Sequence, residues 1–483
     1  MSVRSVFLLC VVGVCCGATP LDDYVNRPDP TYAYKEISQT RGATYTTYIL
    51  NMTSQTWKSS EVTDQSVWWH YLTVTVPDVL TVQDSAFLFI EGGANDEDPP
   101  SLTREFVTMT IRLAVSTGAV ACNLQMVPNQ PIVFKDDPSS AQRYEDAIIA
   151  WTWKKYVDKN GSDPEILLRM PMTKAVVRAM DTVTDHIQST QNMSVNKFVI
   201  AGESKRGWTT WTTAAVDRRV IGFVPIVEDL LNMVTNLHHF YRAYGGWTFE
   251  FQDYYVVNFT ANLDNPLVQR MAGIVDPISY NDRYRGVPKM IISATGDGFF
   301  LPDDSHFYFD QLNGPKYLRT FHNSRHSLTG HEDERYSALR SFFLSVATRQ
   351  PYPEMTWIKQ ATRNGGFIRV STNTEPISVA CYYANTLDGN RRDFRLLIKD
   401  PASSNVLPNP VMWYEKPVES LGNNTYRVAF RNPTQSWLAF FVKVTFAGGT
   451  LHDVIELTTE TLILPTTFPF PDCHGAGCMG RLV

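Results

Sequence analysis

The sequence has no excess of positive charge and few charged residues of either sign. Lys and Arg number 43 against 49 Asp and Glu in 483 residues, which gives a net charge of -6 and an isoelectric point near 6.0. Proteins that bind nucleic acid or an anionic membrane surface normally carry a basic patch, so neither partner is expected. Charged residues make up 19% and hydrophobic residues 43%, a globular composition that argues against a disordered chain.

Long apolar runs are missing beyond the first residues. Residues 5–16 are apolar, Arg4 precedes them, and the small pair Gly17-Ala18 follows. This pattern is typical of a secretory signal peptide, so we expect residues 1–18 to be removed and the protein to be secreted. A membrane anchor is the alternative, but the run is too short to span a bilayer comfortably. No later segment is long and apolar enough to predict a membrane span.

Cysteine is scarce, and three of the seven residues lie in the predicted signal peptide. The others are Cys122, Cys381, Cys473 and Cys478. An even number in an oxidising compartment predicts disulfides, and the short spacing favours a Cys473–Cys478 bond. Cys122 fits a buried free thiol equally well, and its pairing with Cys381 stays open. His474 between the last two cysteines lacks further well-spaced ligands, so no metal site is expected.

Sequons for N-glycosylation are the second feature that fits a secreted chain. An Asn followed two residues later by Ser or Thr can accept a glycan on an exposed surface. The sequence contains this pattern at Asn51, Asn160, Asn192, Asn258 and Asn423.

Internal repeats and low-complexity segments are also absent, and the length allows two or three globular domains. Residues 19–60 are polar and predict an ordered leader strapped onto the first domain. From residue 67 to 347, strand patterns alternate with helical ones, which predicts an α/β, mostly parallel and doubly wound sheet. We expect this domain to span residues 19–350, with ligands at the carboxyl ends of the strands.

Two further segments interrupt or follow the α/β pattern. Residues 236–285 are aromatic and irregular, and predict a helical cap or cleft-wall insertion, with a satellite core as the alternative. Beyond residue 356, short alternating runs separated by turn residues, one at 394–398, are typical of a small β-sandwich. We expect that domain at residues 351–465 and a cysteine-containing coil at 466–483.

The clearest local motif is a strand that ends abruptly at a serine. A β-branched run ends at Gly202, Ser204 follows, and a run that can be helical begins. This order predicts a strand–serine–helix elbow that presents a nucleophile above the sheet, with the Lys205 N–H as an oxyanion donor. Arg206 fills the second glycine position of Gly-x-Ser-x-Gly, and Gly207 comes one residue late. The alternative is a turn in which Ser204 caps the helix.

A second oxyanion donor is expected in the loop after another core strand. Residues 86–90 form a buried-type strand pattern that ends in Glu91-Gly92-Gly93-Ala94. A glycine pair lets the backbone approach a ligand closely, and this loop supplies an oxyanion N–H in α/β-hydrolases. We therefore expect Gly93 or Ala94 to donate it. A plain Gly-Gly turn is the alternative.

Candidates for the acid and the base follow later strands. Asp297 comes directly after the strand pattern at 288–294 and is the expected acid. His326 lies in the loop after the strand pattern at 317–321 and is the expected base. The order Ser, Asp, His along the chain is that of α/β-hydrolases. The alternative acids are Asp303 and Asp229, and the competing histidines are His322 and His331.

Several strings resemble the PhoPQ-activated pathogenicity-related protein family over nearly the whole mature chain. They are Gly202-Glu203-Ser204-Lys205-Arg206-Gly207-Trp208-Thr209-Thr210-Trp211, Asp217-Arg218-Arg219-Val220, Glu145-Asp146-Ala147, Pro171-Met172-Thr173-Lys174, Val127-Pro128-Asn129-Gln130-Pro131 and Asp297-Gly298-Phe299-Phe300-Leu301-Pro302-Asp303. The family is similar to α/β-hydrolase fold proteins. The resemblance implies that Ser204 is the nucleophile, His326 the base and Asp297 the acid. The elbow is also loosely similar to that of glucuronoyl esterases.

The chain departs from the family pattern at two positions. Glu203 stands where alanine commonly precedes the serine, and Arg325 precedes the histidine where the family usually has aspartate. A carboxylate beside the nucleophile and a guanidinium beside the base would alter both pKa values and the charge preference for substrate.

The expected function is that of a secreted serine hydrolase of small-molecule ester or peptide substrates. It would act through an acyl-enzyme and need no cofactor. The alternative is a secreted signalling protein that uses the fold as a non-catalytic scaffold for a cell-surface or secreted partner, since the family includes proteins described as autocrine proliferation repressor A-like. Carbohydrate binding by the β-sandwich is a third interpretation, based only on the 12% aromatic content.

Overall fold

The computed structural model describes residues 17–400, 402–403, 405–448 and 454–483. The predicted signal peptide lies outside the described residues except for its last two positions. The strands of the first domain are β1 (Ala33–Arg41), β2 (Tyr45–Thr56), β3 (Val67–Pro77), β4 (Ser85–Ile90), β5 (Val120–Leu124), β6 (Lys197–Glu203), β7 (Val220–Ile226), β8 (Lys289–Ala294) and β9 (Lys316–Phe321). Its α-helices are α1 (Pro20–Asn26), α2 (Glu105–Thr117), α3 (Glu145–Asp158), α4 (Arg169–Gln191), α5 (Lys205–Val216), α6 (Met233–Tyr244), α7 (Gln252–Val256), α8 (Pro266–Val275) and α9 (Glu332–Thr348).

The described strands of this domain form one twisted sheet in the order β1-β2-β3-β5-β4-β6-β7-β8-β9. The strands from β5 to β9 are parallel, whereas β1, β2 and β3 pair antiparallel with their neighbours. A parallel sheet needs crossover helices, and α2, α4 and α5 lie between successive parallel strands in the chain. This is the α/β-hydrolase fold that the sequence predicted.

Side chains of the central strands alternate between two buried faces. On β4, Phe87 and Phe89 point into a core shared with α2 and α9, while Leu88 and Ile90 point into a core shared with α4 and α5. Because both faces are covered, the strands read as continuous hydrophobic runs in the sequence. Because the strands from β5 to β9 are parallel, the carboxyl ends of β4, β6 and β7 and the loops after β8 and β9 meet at one edge of the sheet.

The leader predicted at residues 19–60 is part of the sheet. Strands β1 and β2 extend the sheet beyond β3, and α1 is capped by Thr19, whose side chain accepts the N–H of Asp22 at 3.3 Å. Strand β1 is almost entirely exposed, so it lacks the hydrophobic alternation that would have identified it.

The C-terminal region forms antiparallel sheets. Their described strands are β10 (Met355–Thr362), β11 (Gly365–Thr372), β12 (Ser378–Asn385), β13 (Leu397–Lys399), β14 (Val406–Pro408), β15 (Tyr414–Pro417), β16 (Glu419–Gly422), β17 (Thr425–Arg431), β18 (Leu438–Ala447), β19 (Val454–Thr458) and β20 (Leu462–Leu464). One sheet has the order β10-β11-β17-β16, and the other has β15-β12-β18-β19 with β20 beside β18. Ile368 on one sheet and Phe440 on the other share a buried core, as expected of a sandwich.

The strand predicted at residues 394–398 is wrong in most of its length, since β13 covers only residues 397–399. The Arg395 side chain is fully buried, and its Nη2 donates to Oδ2 of Asp393 at 2.6 Å. It also donates to the carbonyl of Val483 at 3.1 Å. These contacts hold the backbone in an irregular path that periodicity cannot predict.

The tail after residue 465 is mostly coil, as predicted, but it packs back onto the helical insertion between β7 and β8. A short 3₁₀ helix spans Gly475–Met479. The indole of Trp247 donates to the carbonyl of Cys478 at 2.8 Å, and Cys473 and Cys478 are bonded to each other. Cys122 and Cys381 are free and buried. Within the described chain, no helix combines the length and apolarity needed to cross a bilayer.

The sequons differ in their exposure. Asn160, Asn192, Asn258 and Asn423 are exposed. Asn51 is half-buried within β2. Glycan occupancy at these positions stays a prediction.

Candidate active site

Ser204 lies on a sharp turn between β6 and α5. Its backbone has φ 55° and ψ -122°, a conformation that residues with a Cβ rarely adopt. The turn is held by the Ser204 N–H, which donates to the carbonyl of Ile226 at 2.8 Å. Although Ser204 occupies the N-cap position, its side chain makes no capping hydrogen bond in the described chain. The Ser204 hydroxyl therefore does not cap α5.

Two glycines make this turn possible. A Cβ on Gly202 would lie 2.7 Å from the carbonyl oxygen of Arg206, and one on Gly207 would lie 2.9 Å from the Cβ of Glu228. Both distances are too short for a real side chain. Gly207, which comes one residue late for the Gly-x-Ser-x-Gly pattern, therefore allows α5 to approach the end of β7 closely.

His326 and Asp297 form a hydrogen-bonded pair in the loops after β9 and β8. The His326 Nδ1 lies 2.8 Å from Oδ2 and 2.9 Å from Oδ1 of Asp297. Asp297 is buried and also accepts the N–H groups of Phe299 at 2.8 Å and Phe300 at 3.3 Å. These fixed donors leave the carboxylate in one orientation, which in turn fixes the imidazole.

The free nitrogen of His326 is suited to accept a proton. With Nδ1–H directed at Asp297, Nε2 is the acceptor in the neutral ring, and it has no hydrogen-bond partner within the described residues. Burial disfavours the imidazolium, but the charge and hydrogen bond of Asp297 outweigh it and raise the pKa of His326 above its ordinary value. The Phe299 ring packs against the imidazole with a centroid distance of 4.8 Å.

Ser204 and His326 line the same cavity, which has a volume of about 330 Å³. No hydrogen bond joins their side chains in the described structure, since Nε2 is unpartnered. Catalytic hydrogen bonds are often long in ligand-free enzymes and tighten when substrate binds.

The alternative acids are engaged elsewhere. Asp303 pairs with Arg392 at 2.5 Å and with His239 at 3.1 Å. Although burial opposes it, Arg392 and His239 hold the pKa of Asp303 far below its usual range. Asp229 accepts the hydroxyl of Tyr308, and burial raises the pKa of Asp229 to about 7.

The competing histidines also lie outside the cavity. His322 stacks on Tyr382 with a centroid distance of 4.0 Å. His331 bonds to Glu334 at the start of α9. Among these candidates, His326 is the histidine that lines the cavity with Ser204.

The loop after β4 approaches the elbow, but the residue on the cavity is one position earlier than predicted. The Ala94 N–H donates to Oε1 of Glu97 at 2.9 Å and is therefore engaged. Gly93 has a φ of 121°, and Gly92 lines the cavity. A Cβ on Gly92 would lie 2.5 Å from Nη2 of Arg206. The glycine pair in the sequence indicated this approach without indicating which residue makes it.

The two residues that depart from the family pattern, Glu203 and Arg325, differ in their surroundings. Glu203 accepts from Nη1 of Arg335 at 2.7 Å. Burial raises the pKa of Glu203, and Arg335 offsets only part of that effect. Arg325 is exposed at the surface. Glu203 thus pairs with a helix α9 residue that sequence analysis did not single out.

The two basic residues after the serine pair with α3. The Lys205 Nζ lies 2.7 Å from Asp146, and Nη1 of Arg206 lies 2.7 Å from Glu145. Burial opposes ionisation of Glu145, but Arg206 and Lys205 lower its pKa to about 2. Glu145 and Asp146 belong to one of the strings that resemble the family, and in the structure their carboxylates neutralise the charges of Lys205 and Arg206.

A second, smaller cavity is also lined by Ser204; the cavity that contains His326 is named the outer cavity, and this smaller one is named the inner cavity. Its volume is about 30 Å³. Its walls include Ser204, Lys205, Glu228 and Leu230. Burial raises the pKa of Glu228 well above its usual range, which favours a neutral carboxyl there.

One buried cluster combines ligand types that can bind a metal. His239, Asp303 and Asp304 lie close together. The guanidinium of Arg392 already contacts Asp303 at 2.5 Å and supplies the positive charge at that carboxylate. Cys473 and Cys478 lie near His238, but their thiols are consumed in the disulfide.

Comparison with known proteins agrees with the resemblance found in the sequence. A profile of the PhoPQ-activated pathogenicity-related protein family matches residues 21–395. The chain belongs to this family. It is 37% identical over 494 residues to autocrine proliferation repressor protein A of Dictyostelium discoideum, a match that covers 99% of this chain and 97% of that protein.

Solved structures similar to this chain include esterases. Acetyl xylan esterase from Paenibacillus sp. R4 is 13% identical with a TM-score of 0.45, covering 67% of this chain and 92% of that one. Glucuronoyl esterase from Solibacter usitatus is 12% identical with a TM-score of 0.40, covering 68% and 90%.

Proposed function

We propose that this family member is a secreted serine hydrolase of ester or peptide bonds. The observation that carries the proposal is the Asp297–His326 pair, whose unpartnered Nε2 belongs to the same cavity as the strained Ser204. A strained serine next to a base held in one tautomer is the arrangement that nucleophilic acyl transfer requires. Secretion is proposed from the N-terminal sequence pattern alone.

In the proposed reaction, Ser204 Oγ attacks the substrate carbonyl while His326 Nε2 takes its proton. Asp297 stabilises the imidazolium, and the backbone N–H groups of Lys205 and of the Gly92–Gly93 loop bind the oxyanion. His326 then protonates the leaving group, and water attacks the acyl-enzyme by the same route in reverse. Only residues of this chain take part.

Labelling of the purified protein tests the proposal. A fluorophosphonate probe and the smaller methanesulfonyl fluoride both modify activated serines, and mass spectrometry locates the adduct. We expect an adduct on Ser204 that is lost in Ser204→Ala and reduced about 10³-fold or more in rate in His326→Ala. Ser327→Ala, which alters another serine of the same cavity, is the matched control and should label like wild type.

Folded wild-type protein that neither reagent modifies at Ser204 would overturn the proposal. The second candidate function, a non-catalytic signalling scaffold, is favoured by the name of the relative that is 37% identical. The two are separated by adding wild type or Ser204→Ala to growing cells of the source organism. Growth repression retained in Ser204→Ala would favour the scaffold.

A further inference from the structure

Half of the residues that line the small inner cavity beside Ser204 are aromatic. Its aromatic residues are Trp153, Trp208, Phe251, Tyr254, Phe299 and Phe300. The rings also pack on one another: Tyr254 lies 5.2 Å from Trp153 and 5.1 Å from Phe251 between centroids. At about 30 Å³, the cavity holds a methyl-sized group or one water molecule.

The polar atoms in these walls are largely satisfied from within the protein. Asp146 accepts from Lys205 at 2.7 Å and from the Tyr254 hydroxyl at 2.9 Å. The Trp208 indole donates to the carbonyl of Val275 at 2.6 Å. The carboxyl of Glu228 accepts the N–H of Leu230 at 3.2 Å. With these polar groups bonded inside the protein and six aromatic rings in the wall, the cavity favours a small apolar group.

The position of His326 decides which part of a substrate enters which cavity. His326 lines the outer cavity of about 330 Å³, whereas the inner cavity is lined by Ser204 without His326. A general acid must contact the leaving atom that it protonates. The leaving group therefore occupies the outer cavity, and the acyl group, which stays on Ser204, faces the inner one.

We infer that the inner cavity is the acyl site and that the substrates are esters of short carboxylic acids, of formyl or acetyl size. This inference rests on the proposed serine hydrolase function and narrows it. An amino-acid or dipeptide acyl group exceeds the size of this cavity, so we expect esters of short acids to be hydrolysed faster than peptide bonds. The larger outer cavity sets no comparable limit on the alcohol.

The reaction is balanced without a further reactant except water. The Ser204 Oγ–acyl bond forms as the acyl–oxygen bond of the ester breaks, and the serine proton passes through His326 to the departing alcohol. Water then forms the second acyl–oxygen bond as the Ser204 ester breaks. Its proton returns through His326 to Ser204, and the short carboxylic acid leaves.

A chain-length series with one leaving group tests the inference. The probes are p-nitrophenyl acetate, propionate, butyrate and hexanoate. Each methylene beyond the size of the cavity is expected to lower kcat/KM by about 10- to 200-fold, because the packed rings do not yield. We expect acetate to exceed butyrate by at least about tenfold and hexanoate to be barely hydrolysed.

Enlarging the cavity supplies the matched comparison. Leu230→Ala and, independently, Ile149→Ala remove aliphatic groups from its wall, and each should narrow the acetate-to-butyrate ratio by about tenfold. Leu231→Ala is the control, since Leu231 is equally buried and adjacent but does not line the cavity. Its ratio should equal that of wild type.

The outcomes separate this inference from the proposed function. If methanesulfonyl fluoride modifies Ser204 but hexanoate is hydrolysed as well as acetate, the acyl-site assignment is overturned and the hydrolase stands. The acyl-site assignment is also overturned if Leu231→Ala changes the acetate-to-butyrate ratio as much as Leu230→Ala and Ile149→Ala do. If Ser204 is not modified and no ester is hydrolysed, both proposals fail.

Discussion

Replacing Ser204, the proposed nucleophile, by glycine should make the protein more stable. Ser204 has φ 55° and ψ -122°, which is close to the first central position of a type II′ turn, where glycine is preferred. Holding a residue with a Cβ in such a region costs about 1–3 kcal/mol. Glycine removes this cost but loses about 0.4–1 kcal/mol through the greater freedom of the unfolded chain. The net gain expected for Ser204→Gly is therefore about 0.5–2 kcal/mol.

Ser204→Ala is the reference for this measurement, because alanine also removes the hydroxyl but keeps the Cβ and its strain. For a domain of this size the gain corresponds to a rise in Tm of about 1–3 °C, measured by scanning calorimetry of the two variants side by side. Ser327→Gly is the control: Ser327 is exposed and its φ is not positive, so glycine there should leave Tm unchanged or lower it. A Tm for Ser204→Gly at or below that of Ser204→Ala would refute the strain argument.

Further predictions concern activity, measured on p-nitrophenyl acetate. Because neutral His326 is the proposed base and its pKa is raised above the ordinary value of about 6.5, kcat/KM of wild type should fall as pH drops through a midpoint above that value. In Asp297→Asn, burial and the charge of Lys205 still lower the pKa of His326 and only the weaker effect of Glu250 raises it, so the midpoint should move below 6.5 while kcat falls by about 10⁴-fold; an unmoved midpoint would contradict the pairing. Gly92→Ala places a Cβ 2.5 Å from the Arg206 guanidinium and should lower kcat by about tenfold or more with the fold intact by circular dichroism, whereas unchanged kcat would mean that this loop does not serve the oxyanion.

The elbow and the triad candidates could be predicted because their chemistry is local or ordered along the chain. Gly202 and Ser204 are two residues apart, and the strand before them is a continuous apolar run. Asp297 and His326 each follow a strand pattern directly, so a parallel sheet alone brings them to one edge. The choice of Asp297 over Asp303 rested on the same adjacency, and the structure gives Asp297 the hydrogen bond to His326.

What the sequence could not predict depends on pairing between distant segments. Glu203 and Arg335 are separated by 132 positions, and no periodicity links a strand end to one face of a helix so far away. Arg395 is fully buried, against the general tendency of arginine, because Asp393 pairs with it and the carbonyl of Val483 in the returning C-terminal tail accepts from it. In each case tertiary packing, and not local propensity, selects the conformation.

The arginine in the second glycine position joins the elements of the proposed oxyanion site. Arg206 donates through Nε to the carbonyl of Val127 at 2.5 Å, pairs with Glu145, and packs against Gly92. One side chain thus ties the elbow to the loops after β4 and β5 and to the start of α3. The next residue, Gly207, keeps the contact with β7 that the displaced glycine would otherwise provide. The imperfect motif is therefore a rearranged elbow in which a guanidinium holds the oxyanion loop in position, and its departure from Gly-x-Ser-x-Gly does not argue against a nucleophilic Ser204.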